Sequence, residues 1–242
     1  MNENIIKQQI CMIGKRMYDS AFVAANDGNI TVRLNERELI TTPTGVSKGF
    51  MTPEMLIKVD LAGNVTESHA DWQPSSELKM HLQVYKDRPD IRAVVHAHPP
   101  YATTFAIAHM PLNKPLVAEA IVALGCVPVA GYGTPSTNEI PEAVAPYLEK
   151  FDAVLLANHG ALAWGTDLIS AYHKLESVEF YAKLTFLSMQ LGCPQELTAG
   201  QIEKLYALKK QPGSPGHQPA NLCGIECPLQ CSRNNVKKHD GM

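Results

Sequence analysis

Two stretches constrain the fold more than any other part of the chain. IRAVVHAH (residues 91–98) and DAVLLANHG (152–160) are short apolar runs rich in Val, Leu and Ala. Each reaches a histidine and then a residue that turns the chain, Pro99 or Gly160. Runs of this length and composition read as buried strands, and a buried strand needs helices over its faces. Helical stretches lie on either side of them. Residues 1–24 carry Ile5, Ile6, Ile10, Met12, Ile13 and Met17 at helical spacing. SSELKMHLQVYKDRPD begins with a capping serine, has Glu77 in its first turn and is closed by Pro89. Residues 101–109 and the segment STNEIPEAVAPYLEK read as helices, as does AGQIEKLYALKKQ. The stretch TDLISAYHKLESVEFYAKLTFLSMQLG is the longest of them and is amphipathic.

Between the first two helices the character changes. Strands are expected over 30–34 and 38–42, joined by Asn35-Glu36, and MLIKVDLAGNVTES reads as a hairpin turning at Gly63-Asn64. A short helix and a strand, VPVAGY, are expected within 115–131. Strands and helices therefore alternate without a linker, and several connections are hairpin-like. The expected architecture is α/β, a single domain over residues 1–211 with a mixed central β-sheet flanked by helices. At PGSPGHQP the composition shifts, and 212–242 is expected to be a disordered tail. The tail holds Cys223, Cys227 and Cys231, whose spacing is not a standard zinc pattern. Cys11, Cys126 and Cys193 are scattered and read as reduced thiols.

Composition excludes some functions. The net charge is −3 and no Lys/Arg block stands out, so a nucleic-acid partner is not expected. No run approaches the roughly 20 apolar residues of a membrane span. The N-terminus lacks a secretory signal, so the expected compartment is the cytoplasm.

Chemistry is concentrated in the histidines. His96 and His98 stand two residues apart in a strand, so alternation puts both imidazoles on one face. His159 closes the second buried strand beside Gly160, which tolerates positive φ. Three neutral imidazoles with an open position make a catalytic zinc site. Two surface histidines and a strand-end histidine would give the same letters. His81 lies one helical turn beyond Glu77 and is expected to be solvated or in the core. Ser75, Ser76 and Glu77 at a helix start are a natural phosphate site, and also a common plain cap. Gly28-Asn29 and Thr44-Gly45 offer turn N–H groups of the kind that cradle anions. Lys48 is expected as a loop charge near the phosphate, or simply solvated.

Taken together, GNITVR, TPTGVSKG, PSSELKMHLQVYKDRPDIRAVVHAHPPYAT and NHGALAWGTDLISAYHKLESVEFYA resemble the class II aldolase/adducin family, from about residue 5 to about 190. The resemblance implies a zinc-dependent aldolase that cleaves a ketose 1-phosphate to dihydroxyacetone phosphate and an aldehyde. It implies zinc on His96, His98 and His159, with Glu77 touching the resting metal and serving as acid/base. It assigns Gly28, Asn29, Thr44, Gly45, Ser75 and Ser76 to the substrate phosphate, and Tyr132 to an aromatic wall. It also implies a homotetramer with active sites between subunits. The chain departs from the family's aldolases in LVAEAIVALG, where Glu119 stands in place of a tyrosine that helps protonate the aldehyde oxygen. Related methylthioribulose-phosphate dehydratases carry a glutamate near this place, which keeps dehydration open as an alternative. A 4-epimerase fits less well, since an aspartate replaces the Glu77 carboxylate there; a decarboxylase is a further family activity. A non-catalytic adducin-like module would be expected to lack the metal histidines.

Overall fold

The computed structural model describes residues 2–69, 72–192 and 194–209. Among them stand seven α-helices and eight strands: α1 Glu3–Asp19, β1 Asn29–Arg33, β2 Glu38–Thr41, β3 Ile57–Asp60, β4 Val65–Glu67, α2 Leu78–Asp87, β5 Ala93–Ala97, α3 Pro100–Ile107, α4 Ala118–Ala123, β6 Val129–Ala130, α5 Glu139–Val144, β7 Ala153–Leu156, β8 Gly160–Gly165, α6 Leu168–Gln190 and α7 Ala199–Lys209. The strands form one sheet in the order β4-β3-β2-β1-β5-β8-β7-β6. Every pairing is antiparallel except β6 with β7. The fold is α/β, a single mixed sheet flanked by helices. The tail cysteines Cys223, Cys227 and Cys231 lie outside the described residues.

Side-chain alternation divides the sheet into two faces. Ile30, Val32, Ala93, Val95, Ala97, Ala161 and Ala163 pack with α1, α3, α4 and α6. Val94, Leu162 and Trp164 pack on the other side with Leu78, Met80 and Val84 of α2 and Ile140 and Val144 of α5. Polar residues interrupt this second layer: Asn29 and Thr31 on β1 and His96 on β5 are all buried. They gather beneath α2, where the candidate site lies.

Several expected elements have different bounds. The first helix stops at Asp19 and not at 24, because Ala21 takes φ +57 and Phe22 N–H turns back to Met17 O. The helix expected over STNEIPEAVAPYLEK ends at Val144 and tightens into a 3₁₀ turn at Ala145–Tyr147, where Pro146 has no N–H to give. Strand β8, GALAWG, was not expected at all. Cys126 is disulfide-bonded and not a free thiol, whereas Cys11 is free and half-buried. No helix among the described residues is long and apolar enough to cross a membrane.

Gly160 is needed for close approach, not for an unusual turn. The positive φ of the β7–β8 hairpin belongs to Asn158, at +56. A Cβ on Gly160 would lie 2.4 Å from Ala97 O and 2.7 Å from His98 Cδ2. The missing side chain therefore lets the hairpin close onto β5. Gly160→Ala is expected to destabilise the protein by about 1–3 kcal/mol, the usual cost of overpacking. Thermal melting measures this, and an unchanged melting temperature would contradict the close approach.

Candidate metal centre

Strand β5 delivers two imidazoles to one end of the sheet. His96 is wholly buried, and His98 follows two residues on, past the strand's end. The β7–β8 hairpin delivers the third. His159 sits in the turn itself, its N–H bonded to Leu156 O at 3.0 Å, and β8 pairs with β5 so that Ala97 faces Ala161. The three ring centroids are 4.8–4.9 Å apart in every pairing. One ligand atom from each lies within 4.8 Å of the others.

The outer contacts of two rings decide what the inner nitrogens are. Nδ1 of His96 lies 3.0 Å from Ala161 O, and Nδ1 of His98 lies 3.3 Å from Asp27 Oδ2. A carbonyl and a carboxylate oxygen only accept, so both Nδ1 atoms carry the proton. In the neutral rings both Nε2 atoms then hold bare lone pairs, and these face each other at 3.1 Å. Burial lowers the pKa of His96 and His98, the former well below the ordinary imidazole value, so neutral rings prevail near pH 7. Two opposed lone pairs call for a cation between them. Nitrogens bound at about 2.0–2.1 Å on a tetrahedral zinc ion stand roughly 3.3 Å apart, close to this separation. The opposed lone pairs of His96 and His98, with a His159 nitrogen within 4.8 Å, fit a metal held by three imidazoles once His159 Nε2 exchanges its Glu77 contact for the ion.

Glu77 completes the cluster. Its Oε1 is 2.9 Å from His159 Nε2, and its Oε2 is 3.5 Å from His96 Nε2. Burial alone would raise its carboxyl, but the adjacent His96 and His159 more than offset that and hold it well below the usual carboxylate range. Glu77 is the N-cap residue of α2 and not part of its first turn, and its side chain makes no capping bond. Its carboxylate is turned to the histidines and to Asn29, whose Nδ2 donates to Oε2 at 2.9 Å.

The turns flagged as anion sites meet at the same place. Asn29 Nδ2 lies 3.2 Å from Ser75 Oγ, which accepts from Glu77 N–H at 3.3 Å. Thr44 N–H donates to Gln73 O at 2.9 Å, tying the Thr44-Gly45 loop to the segment before Ser75. Gly28 takes φ +75, and a Cβ there would lie 2.9 Å from His96 O. Gly45 takes φ +73 over open space, and Ser76 and Thr44 are exposed. Lys48 is not solvated: it is 1% exposed and its Nζ donates to Asn26 O and Val46 O at 3.0 and 2.7 Å. Burial lowers its pKa to about 8.

Residues 8–186 match the family described as Class II Aldolase and Adducin N-terminal domain. The chain belongs to this family. It is 34% identical over 202 residues to 5-deoxy-D-ribulose 1-phosphate aldolase of Bacillus thuringiensis serovar kurstaki, covering 82% of this chain and 92% of that protein. It is 32% identical over 203 residues to 3-oxo-tetronate 4-phosphate decarboxylase of Haemophilus influenzae, covering 82% and 95%. Among solved structures, an L-fuculose 1-phosphate aldolase superposes with a TM-score of 0.79 at 34% identity, covering 87% of this chain and 99% of that one. This family member is accordingly an enzyme of lyase type, from a family that is generally metal-dependent.

Two flagged residues stand apart from the cluster. Glu119 is exposed on α4, whose Ala120 packs into the layer opposite α2. It lines a groove with Glu176 and Phe180 of α6. Tyr132 is 61% exposed and follows β6. Because β6 runs parallel to β7, Tyr132 emerges at the sheet end that carries His159. Sequence reasoning missed Asp27, and it left open how Glu77 is fixed. His81 is fully buried with Nδ1 2.8 Å from Thr31 Oγ1, which also meets the Tyr85 hydroxyl at 2.9 Å. Glu77, His81 and Tyr85 thus form one face of α2 laid along β1. Their spacing of four was the available signal.

Burial lowers the His81 pKa to about 3, against 6.5 for an ordinary imidazole. The unfolded chain therefore takes up this proton first on acidification. Stability present above pH 6.5 is lost as pH falls toward about 3. Chemical denaturation of the metal-free protein across this window should show that slope, and His81→Asn should flatten it by up to one proton. An unchanged slope would contradict the buried neutral ring.

Proposed function

We propose that the protein is a zinc-dependent aldolase that reversibly cleaves a ketose 1-phosphate to dihydroxyacetone phosphate and an aldehyde. The observation that carries this reading is the convergence of three imidazoles, His96 and His98 held neutral by burial, with the Glu77 carboxylate beside loops suited to an anion. Neutral nitrogen ligands with an open position favour zinc. A zinc ion held by His96, His98 and His159 supplies Lewis acidity to the ketose carbonyl.

The chain's own residues do the rest. Gly28, Asn29, Thr44, Gly45, Ser75 and Ser76 hold the phosphate, using turn N–H groups, hydroxyls and the start of α2. Holding that end of the substrate orients the reacting carbons. Glu77 lies against the histidines and within reach of a substrate bound there, and it moves the proton to and from the three-carbon fragment. Asn29 keeps that carboxylate aimed. Tyr132 forms part of the aldehyde-side wall. Glu119 is exposed on α4, in the layer opposite Glu77 within one chain, so it serves the aldehyde oxygen only when a second copy supplies it, as a homotetramer with sites between subunits would. The two aldolases among the named relatives support a phosphorylated sugar of the 5-deoxypentulose or fuculose type, whereas the third is a decarboxylase of a 3-oxo-tetronate 4-phosphate.

A second reading is favoured by Glu119 itself: a methylthioribulose-1-phosphate-type dehydratase with that carboxyl as acid/base. An adducin-like module without catalysis is disfavoured by the complete histidine set. Product analysis separates these readings. The zinc-loaded protein is offered fuculose 1-phosphate, ribulose 1-phosphate, and 5-deoxy- and 5-methylthioribulose 1-phosphate. Chelator-sensitive release of dihydroxyacetone phosphate is expected, and substrate consumption without it would replace cleavage by dehydration or epimerisation. Glu77→Gln should retain zinc and lose about 10²–10⁴-fold in kcat, the usual worth of a general acid/base. Full activity in that variant would remove Glu77 from the proton step.

A further inference from the structure

Asp27 takes no part in the chemistry assigned above. It lies in the loop from α1 to β1, one residue before Gly28, with its side chain 42% exposed. Its Oδ2 is 3.3 Å from Nδ1 of His98. That contact needs the proton on Nδ1, which leaves the lone pair on Nε2, the nitrogen turned toward His96. On the other side of the ring, Cδ2 is bounded by the bare Cα of Gly160. The imidazole is thus held from two directions.

The loop that presents Asp27 is itself fastened. Asn26, its neighbour in the chain, accepts from the buried Nζ of Lys48 at 3.0 Å. The same ammonium donates to Val46 O at 2.7 Å and joins no ion pair among the described residues. Asp27 N–H donates to Ala24 O at 2.8 Å, and Gly28 packs against His96 O. Lys48 is therefore a clip across two loops, and Asp27 stands between its anchored neighbours.

The three histidines differ in this outer support. His96 has a backbone carbonyl, Ala161 O, which no substitution removes. His159 Nδ1 is buried without a partner among the described residues. Among the described residues, only His98 has a side chain at its Nδ1. We propose that Asp27 is a positioning residue, which orients His98 and selects the tautomer that presents Nε2 to the metal, and that Lys48 fixes the loop carrying it. This rests on the metal reading of the histidine cluster. Outer partners of this kind typically change metal affinity about 10–100-fold.

The test titrates Zn²⁺ alone into the chelator-stripped wild type, Asp27→Ala and Asp27→Asn, in competition with a chromogenic chelator. Thermal melting of each metal-free protein is measured alongside. Asp27→Ala is expected to weaken zinc binding about 10–100-fold while the metal-free melting temperature stays at the wild-type value. Asp27→Asn, whose Oδ1 still accepts from Nδ1–H, should fall between the two. Wild-type zinc affinity in Asp27→Ala would overturn the positioning role and leave the metal site standing. An affinity loss that tracks a lowered melting temperature would also overturn it, by showing general loosening of the loop. Failure of the wild type itself to bind zinc would overturn the metal reading and this role with it.

Discussion

Everything at the candidate metal centre depends on the pairing of β5 with its two neighbours. On one side, β1 sets Asn29 directly across from His96. On the other, β8 sets Leu162 across from His96 and brings the backbone of Gly160 against Ala97 O. The first pairing supplies the amide that aims Glu77, and the second supplies His159. A slip of β5 by one residue against both neighbours would turn its imidazole-bearing face toward α1 and α6. The wholly apolar packing of Val95, Ala97, Ala161 and Ala163 on that opposite face makes such a slip costly. Hydrophobic burial on one side of the sheet thus fixes the geometry of the polar cluster on the other.

The polar layer under α2 is held by hydrogen bonds and not by apolar fit. Asn29 reaches Ser75 and Glu77, while Thr31 reaches His81 and Tyr85. These bonds join alternate residues of one strand to the N-cap segment of α2 and to one face of that helix. They lock the helix start, and with it the Glu77 carboxylate, to the strand beside His96. Some buried polar atoms here have no partner among the described residues: Asn29 Oδ1, His81 Nε2 and His159 Nδ1.

Much of this was legible in the sequence, for local reasons. The H-x-H pair shares a face because strand alternation has a period of two, and both rings do face α2. The serine-rich start of α2 marked the helix entry, though Glu77 proved to be the cap residue itself. The alternation of Ala, Leu, Ala and Trp in β8 lies between two glycines that read as turn residues, and the positive φ of the turn belongs to Asn158 and not to Gly160. The burial of Lys48 and the contact of Asp27 with His98 depend on loops brought together by the sheet, and no short-range pattern encodes them. Glu119 was placed by resemblance alone, and in one chain it lies on the layer opposite Glu77.

One metal ion is expected to be held by the inner nitrogens of His96, His98 and His159. Anomalous diffraction at the zinc edge, from crystals of the zinc-loaded protein, tests it most directly. The expected result is a single strong peak bounded by Nε2 of His96, His98 and His159, with the Glu77 carboxylate at its side. No peak at that position, or a peak bound by other side chains, would contradict the account.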